Sequence, residues 1–227
     1  MPPFLAASAR LLAAAATLAL IAAVPTTAQA TGLWHGAGPV VPVDAALEPV
    51  YGPPASDYSV IVWLDPECPY CKMLGRTPEN VVDASGGRVN LAVRMMPLPM
   101  HGQAAFVAAA TAICVGQQAT AKGYYRFLDR YLQLTRTNGA GVPGSVDALA
   151  QEAGASDLAR LSACVHAPET VQTLGREYEA ASTAGVTGTP AIVVRDNRSG
   201  LVAMAEGALD AADISRMIQA MGAQKAD

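Results

Sequence analysis

An α/β fold with a helical block set between its strands is what this sequence predicts, and three observations predict it. Residues 58–64, Tyr-Ser-Val-Ile-Val-Trp-Leu, form a compact β-favouring run that leads directly into Cys68-Pro69-Tyr70-Cys71 and a helix. Between Gly102 and Gly185, Ala-rich segments with helical spacing replace strand-like runs. Two short β-favouring runs then flank Asp196-Asn197-Arg198-Ser199-Gly200, and an amphipathic helix closes the chain.

The first thirty residues differ from the rest. Arg10 precedes an apolar run over residues 11–24, followed by Pro25 and Ala28-Gln29-Ala30. A membrane span needs ~20 apolar residues, so this shorter run with small residues beyond it reads as a secretory signal peptide, residues 1–30, cut after Ala30. An uncleaved anchor is the alternative. No cysteine lies near its end to carry a lipid, and no second apolar segment is expected to approach spanning length. Residues 31–57, with Pro39, Pro42, Pro49, Pro53 and Pro54, read as an irregular arm too short for a separate domain.

Residues 58–64, bounded by Asp65-Pro66, read as a buried central strand. The helix opened by the dithiol is expected to run to about Asn80–Val82, with Pro78 kinking or ending it. Residues 88–96 are the next strand, after the Gly86-Gly87 turn. Helices are predicted over residues 103–115, 120–134, 145–153 and 169–183, interrupted by the Gly- and Pro-containing stretch 138–144. Strands at 191–195 and 201–205 make a hairpin, and residues 210–221 make the last helix, with Asp210 as its N-cap. Residues 58–227 thus read as one domain with a helical insertion over about 102–185.

A formal net charge of −4 without basic clusters argues against nucleic acid as the main partner. Export to an oxidising compartment permits disulfides, and Cys68, Cys71, Cys114 and Cys164 all lie beyond the signal segment. Four cysteines allow about three pairings.

Two cysteines separated by two residues, where a strand enters a helix, put the first sulfur at the helix N-terminus and the second one turn inside. Unpaired N–H groups and the macrodipole there favour an anion. A depressed pKa raises the thiolate population of Cys68 and makes it a better leaving group. Pro69 suits the first turn because it lacks only an N–H that would be unpaired. Cys71, shielded by the helix, is the resolving thiol. Lys72 either adds positive field or is a solvated surface residue. A structural disulfide is one alternative, although so small a ring constrains little of the unfolded chain. Half of a zinc site is another, but no second Cys-X-X-Cys is present and His35, His101 and His166 are scattered.

Asp65-Pro66-Glu67-Cys68-Pro69-Tyr70-Cys71-Lys72, together with Gly185-Val186-Thr187-Gly188-Thr189-Pro190-Ala191 just before a strand, resembles the exported Dsb branch of the thioredoxin superfamily. The resemblance runs from about Tyr58 to the C-terminus. It implies a thioredoxin-like fold with an inserted helical domain and thiol-disulfide oxidoreductase activity without cofactor or metal. It makes Pro190 a cis-proline facing the dithiol and Thr189 the residue whose backbone pairs with a bound substrate strand. Pro69, Tyr70, Thr189 and Pro190 then support the catalytic pair Cys68 and Cys71. The long gap from Cys68 to Pro190 leaves room for an inserted helical domain, as in DsbA-like oxidases. The isomerases DsbC and DsbG have a shorter insert and an N-terminal dimerisation domain, which the arm cannot supply. Cys-Pro-Tyr-Cys with Thr189 is nevertheless similar to DsbG, so an isomerase or reductase remains the alternative, and a dithiol metal-binding module is a third reading.

The implied partners are unfolded or partly oxidised exported proteins and a DsbB-like or DsbD-like membrane redox protein, with the chain acting as a periplasmic monomer. Related proteins often carry a second disulfide in the helical domain, which implies a Cys114–Cys164 pair; two free buried thiols are the alternative. DsbA-like proteins also commonly place a buried acid six residues before the first cysteine to relay protons. That position here is Val62, leaving Asp65 or Glu67 to substitute. His101 reads as a helix-entry residue with no catalytic role. Met95, Met96 and Met100 read either as a hydrophobic lip for unfolded substrates or as core.

Overall fold

The computed structural model describes residues 34–223; the segment read as a signal peptide lies outside them. Strand β2 (Tyr58–Leu64) pairs in parallel with β3 (Val89–Met95), and both are buried along their whole length. On the other side of β2 runs β4 (Ala191–Asp196), antiparallel, followed by β5 (Val202–Glu206), and β1 (Val50–Tyr51) forms the opposite edge against β3. The order β1-β3-β2-β4-β5 makes β2 the central strand. The arm is less irregular than its prolines suggest. It supplies β1 at one edge, and a bridge between His35 and Met204 ties it to β5 at the other.

Side chains alternate across β2, as a strand requires. Val60, Val62 and Leu64 pack with the helical block and the C-terminal helix, while Ile61 and Trp63 pack on the other face with Val40, Ala181 and Ala184. The single helix expected after the dithiol is two. Helix α1 (Pro69–Leu74) ends where Gly75 takes a φ of 47°, and α2 (Thr77–Ala84) starts anew. Pro78 sits in the first turn of α2 and opens that helix instead of ending one, because an amide at that position has no intrahelical partner to lose.

The helical block begins after a 3-10 turn at Pro99–His101. Helix α3 (Gly102–Leu134) takes in both of the first two predicted helices, and the break between them falls at Ala119 and Thr120, with Thr120 at φ 64°. By length and composition Pro99–Leu134 would be long and apolar enough to cross a membrane, against the expectation of no second such segment. Here it packs against the sheet, with Tyr124 Oη donating to Val93 O at 2.7 Å and Tyr125 Oη to Leu91 O at 2.9 Å. Helix α4 (Val146–Ala153) lies so close to α3 that a Cβ on Gly123 would come within 2.9 Å of Ala153 O. Helix α5 (Leu158–Val165) was not expected. Asp157 caps it, accepting from Arg160 N at 2.9 Å, and Leu161 and Val165 form its buried stripe. Helix α6 (Pro168–Ala184) returns the chain to the sheet, where Trp63 Nε1 donates to Glu177 O at 3.2 Å. Helix α7 (Ala211–Ala223) ends the described chain, and Asp210 Oδ1 accepts from Asp213 N at 2.8 Å in its first turn.

Candidate functional site

Strand β2 ends at Leu64, and the short turn through Asp65 and Glu67 delivers the chain into α1 with Cys68 at the N-cap, in extended conformation. Pro69 opens the helix and Cys71 lies one turn in, where Lys72 N donates to Cys68 O at 3.0 Å. Cys68 and Cys71 are free thiols; Cys71 is fully buried and Cys68 is 4 % exposed. Tyr70, between them, is exposed. The segment before β4 meets this turn from the far end of the sequence. The Thr189–Pro190 peptide bond is cis, and the Cys68 thiol donates to Thr189 O at 3.2 Å, joining residues 121 apart in the chain.

The two thiols are driven apart. Cys68 is lowered to about 5, chiefly by a hydrogen bond from the Cys71 thiol; burial opposes this, and Thr189 and the backbone N–H groups of Cys71 and Tyr70 add to it. Cys71 is pushed well above the ordinary thiol value, first by burial and then by the hydrogen bond and charge of Cys68. The helix-terminal amides named by the sequence argument therefore contribute, but the neighbouring thiol contributes more. The Thr189 hydroxyl is buried and makes no hydrogen bond of ordinary geometry, and its side chain acts to lower both sulfurs. Lys72 is exposed, as the surface reading has it, and its ammonium donates to Thr135 O at 2.6 Å, at the C-terminal end of α3.

Val62 is wholly inside the apolar core. The two acids left to replace it, Asp65 and Glu67, are both fully buried, and both are fully engaged. Asp65 Oδ1 accepts from Glu67 N at 2.7 Å, and Asp65 Oδ2 accepts from Leu98 N at 2.7 Å and pairs with His101 Nδ1 at 2.6 Å. The Asp65 backbone acts on Cys71 as well, lowering it against the burial that pushes it up. Glu67 takes three donors from the helical block: Tyr131 Oη at 2.7 Å, Thr135 Oγ1 at 2.6 Å and Gly141 N at 3.0 Å. His101, read from the sequence as a helix-entry residue, is thus the buried partner of an acid beside the dithiol. Its only local signal was an apolar, proline-flanked context that also suits a turn.

Met95 and Met96 are core, whereas Met100 is 80 % exposed. With Tyr70 and Met73 on α1, it leaves large apolar side chains exposed on the two segments that Asp65 ties together. Cys114 and Cys164 are joined by a disulfide that links α3 to α5. Among the described residues, no group of three or more His, Cys, Asp or Glu is placed to hold a metal ion.

Comparison with known proteins adds the following. The family model described as thioredoxin matches residues 45–220. Among solved structures, DsbA2 of Pseudomonas aeruginosa is 28% identical with a TM-score of 0.69, the match covering 82% of this chain and 99% of that one. A thioredoxin-like oxidoreductase from Silicibacter pomeroyi DSS-3 is 26% identical with a TM-score of 0.64, covering 79% of this chain and 94% of that one. Oxidised BdbD from Bacillus subtilis shares the fold at 18% identity and a TM-score of 0.66, covering 82% and 98%. The search of curated proteins found no match. With a strand, a dithiol helix and a cis-proline segment converging on one pair of sulfurs, and with that family matched across most of its length, the chain belongs to the thioredoxin family and has the thiol-disulfide oxidoreductase fold of the DsbA proteins.

Proposed function

We propose that this chain is an exported, periplasmic thiol-disulfide oxidase that gives the Cys68–Cys71 disulfide to folding proteins. The observation that carries the reading is the opposed pair of thiols, Cys68 lowered to about 5 and Cys71 raised. A lowered folded-state pKa stabilises the reduced form wherever the thiolate is populated, fully so above the ordinary thiol range, and that stabilisation is lost as pH falls through about 5. At pH 7 it amounts to about 2–3 kcal/mol, or roughly 60 mV in a two-electron couple, in the direction of a stronger oxidant.

In the proposed cycle a substrate thiolate attacks Cys68 Sγ, the Cys68–Cys71 bond breaks, and Cys71 leaves as a thiolate that takes up one proton. A second substrate thiolate then attacks the substrate sulfur of the mixed disulfide and releases Cys68 as a thiolate. The substrate dithiol is oxidised by two electrons and the protein dithiol is reduced by two; a DsbB-like membrane partner accepts those electrons. Pro69 and Tyr70 shape the dithiol turn, and the Thr189-Pro190 segment receives the substrate backbone. We assign the proton of Cys71 to the Asp65–His101 pair and not to Glu67: each carboxylate has three partners, but one of those of Asp65 is an imidazole, which can carry a proton, whereas those of Glu67 are a tyrosine, a threonine and a backbone amide.

The test of direction is the equilibrium of the dithiol with a glutathione redox buffer. An oxidase is expected to be more oxidising than the buffer; a more reducing value overturns this reading in favour of an isomerase or reductase served by a DsbD-like donor. The proton assignment makes a separate prediction. Asp65→Asn slows dithiol turnover about tenfold or more while leaving the Cys68 alkylation midpoint in place. A shifted midpoint with unchanged turnover would mean that Asp65 only holds the turn in shape.

A further inference from the structure

A cavity of about 400 Å³ opens where β1, the start of α2 and the second half of α3 meet, and none of its lining residues belongs to the dithiol, the cis-proline segment or the Asp65–His101 pair. That volume suits a small molecule. Five of its ten lining residues are ionic, Arg76, Glu79, Lys122, Arg126 and Asp129, and they lie with Tyr51. Glu79 is 7 % exposed, and among the described residues only its own backbone N–H bonds its carboxyl. Burial pushes it up to about 7; Arg76 draws it down, and Asp129 and Asp83 raise it further.

The cations around it are equally uncommitted. Among the described residues Arg76 and Lys122 make no side-chain hydrogen bond or ion pair, and Arg126 reaches only Glu152 O, at 3.5 Å. Asp83 is held by Tyr51 Oη at 3.0 Å, and Asp129 accepts from Gln133 at 2.9 Å. A buried carboxyl whose one hydrogen bond comes from its own backbone is costly when ionised, and Arg76 offsets only part of that cost. A ligand with one charge of each sign satisfies both sets at once.

We propose that this cavity binds a small zwitterion of amino-acid or dipeptide size, its ammonium paired with Glu79 and Asp129 and its carboxylate met by Arg76, Lys122 and Arg126. Occupancy requires Glu79 to be ionised, so affinity rises with pH through the neutral range and binding at slightly acidic pH releases a proton. The site is independent of the redox reading, and its test does not use redox activity.

The experiment is titration calorimetry on the intact protein with glycylglycine, N-acetylglycylglycine and glycylglycinamide, each in two buffers of different ionisation enthalpy. Glycylglycine is expected to bind, and each capped form to bind at least about tenfold more weakly. Glu79→Gln should remove the discrimination against the acetylated form and the proton release. Lys122→Ala, an exposed position that folds whatever happens at Glu79, should reduce the discrimination against the amide. No binding of any of the three at millimolar concentration, equal binding of all three, or discrimination at one end only would overturn the proposal.

Discussion

Replacing Cys68 with Ser is expected to abolish disulfide exchange outright, whereas Cys71→Ala should leave Cys68 reactive but unable to form the Cys68–Cys71 disulfide, so that attack of its thiolate on a substrate disulfide expels one substrate thiolate and leaves a mixed disulfide that no Cys71 can resolve. The asymmetry follows from burial and charge. Cys68 is the sulfur with some access to solvent, and it is held as a thiolate; Cys71 is fully buried with its pKa raised. At pH 7 a thiol lowered to about 5 is almost wholly ionised, while an ordinary thiol is only a few per cent ionised. Iodoacetamide alkylation of the reduced protein should therefore show one fast thiol whose rate climbs through about pH 5 and is level by pH 7. Because the hydrogen bond from Cys71 is the largest cause of the lowering, Cys71→Ala should move this midpoint upward. A midpoint near that of a free cysteine in the unaltered protein would remove the basis of the proposed function. The partners trapped on Cys68 in the Cys71→Ala variant would identify its substrates.

The second large effect concerns stability. The Cys114–Cys164 bond closes a chain separation of 50 residues between α3 and α5, and on chain-entropy grounds its removal by Cys114→Ala with Cys164→Ala should cost about 4 kcal/mol. Cys114 is fully buried among the block's apolar residues and Cys164 packs against them, so the double variant also gives up some packing. Denaturant unfolding should show a lower midpoint, while the alkylation midpoint of Cys68 stays where it was. A shift at Cys68 would mean that the helical block transmits strain to the dithiol through the Glu67 contacts with Tyr131, Thr135 and Gly141. An unchanged unfolding midpoint would mean that the reduced chain already holds α3 and α5 together by packing alone.

Local pattern by itself determined much of this protein. The β-favouring run at Tyr58–Leu64 is the central strand because its residues are apolar on both faces, and Cys68-Pro69 opens a helix because proline lacks the amide that a first turn leaves unpaired. The hairpin at Ala191–Asp196 and Val202–Glu206 and the cap at Asp210 were equally readable from turn and cap chemistry. Helix α5 was within reach too, since Asp157 precedes Leu158 and the spacing of Leu161 and Val165 is helical, but eight residues carry a weak periodic signal. What only the tertiary structure decided are the contacts between distant segments. Asp65 and Glu67 sit in a proline-bearing turn, where acids are ordinarily solvated; they are buried because the Leu98–His101 segment and the Thr135–Gly141 loop close over them and supply donors. Thr189 meets Cys68 across 121 residues of sequence, with the helical block lying between them in the chain. Periodicity reports on neighbours within a turn or a pleat, whereas the electrostatics of a buried site depend on which loops close over it, and that is settled by packing across the sheet.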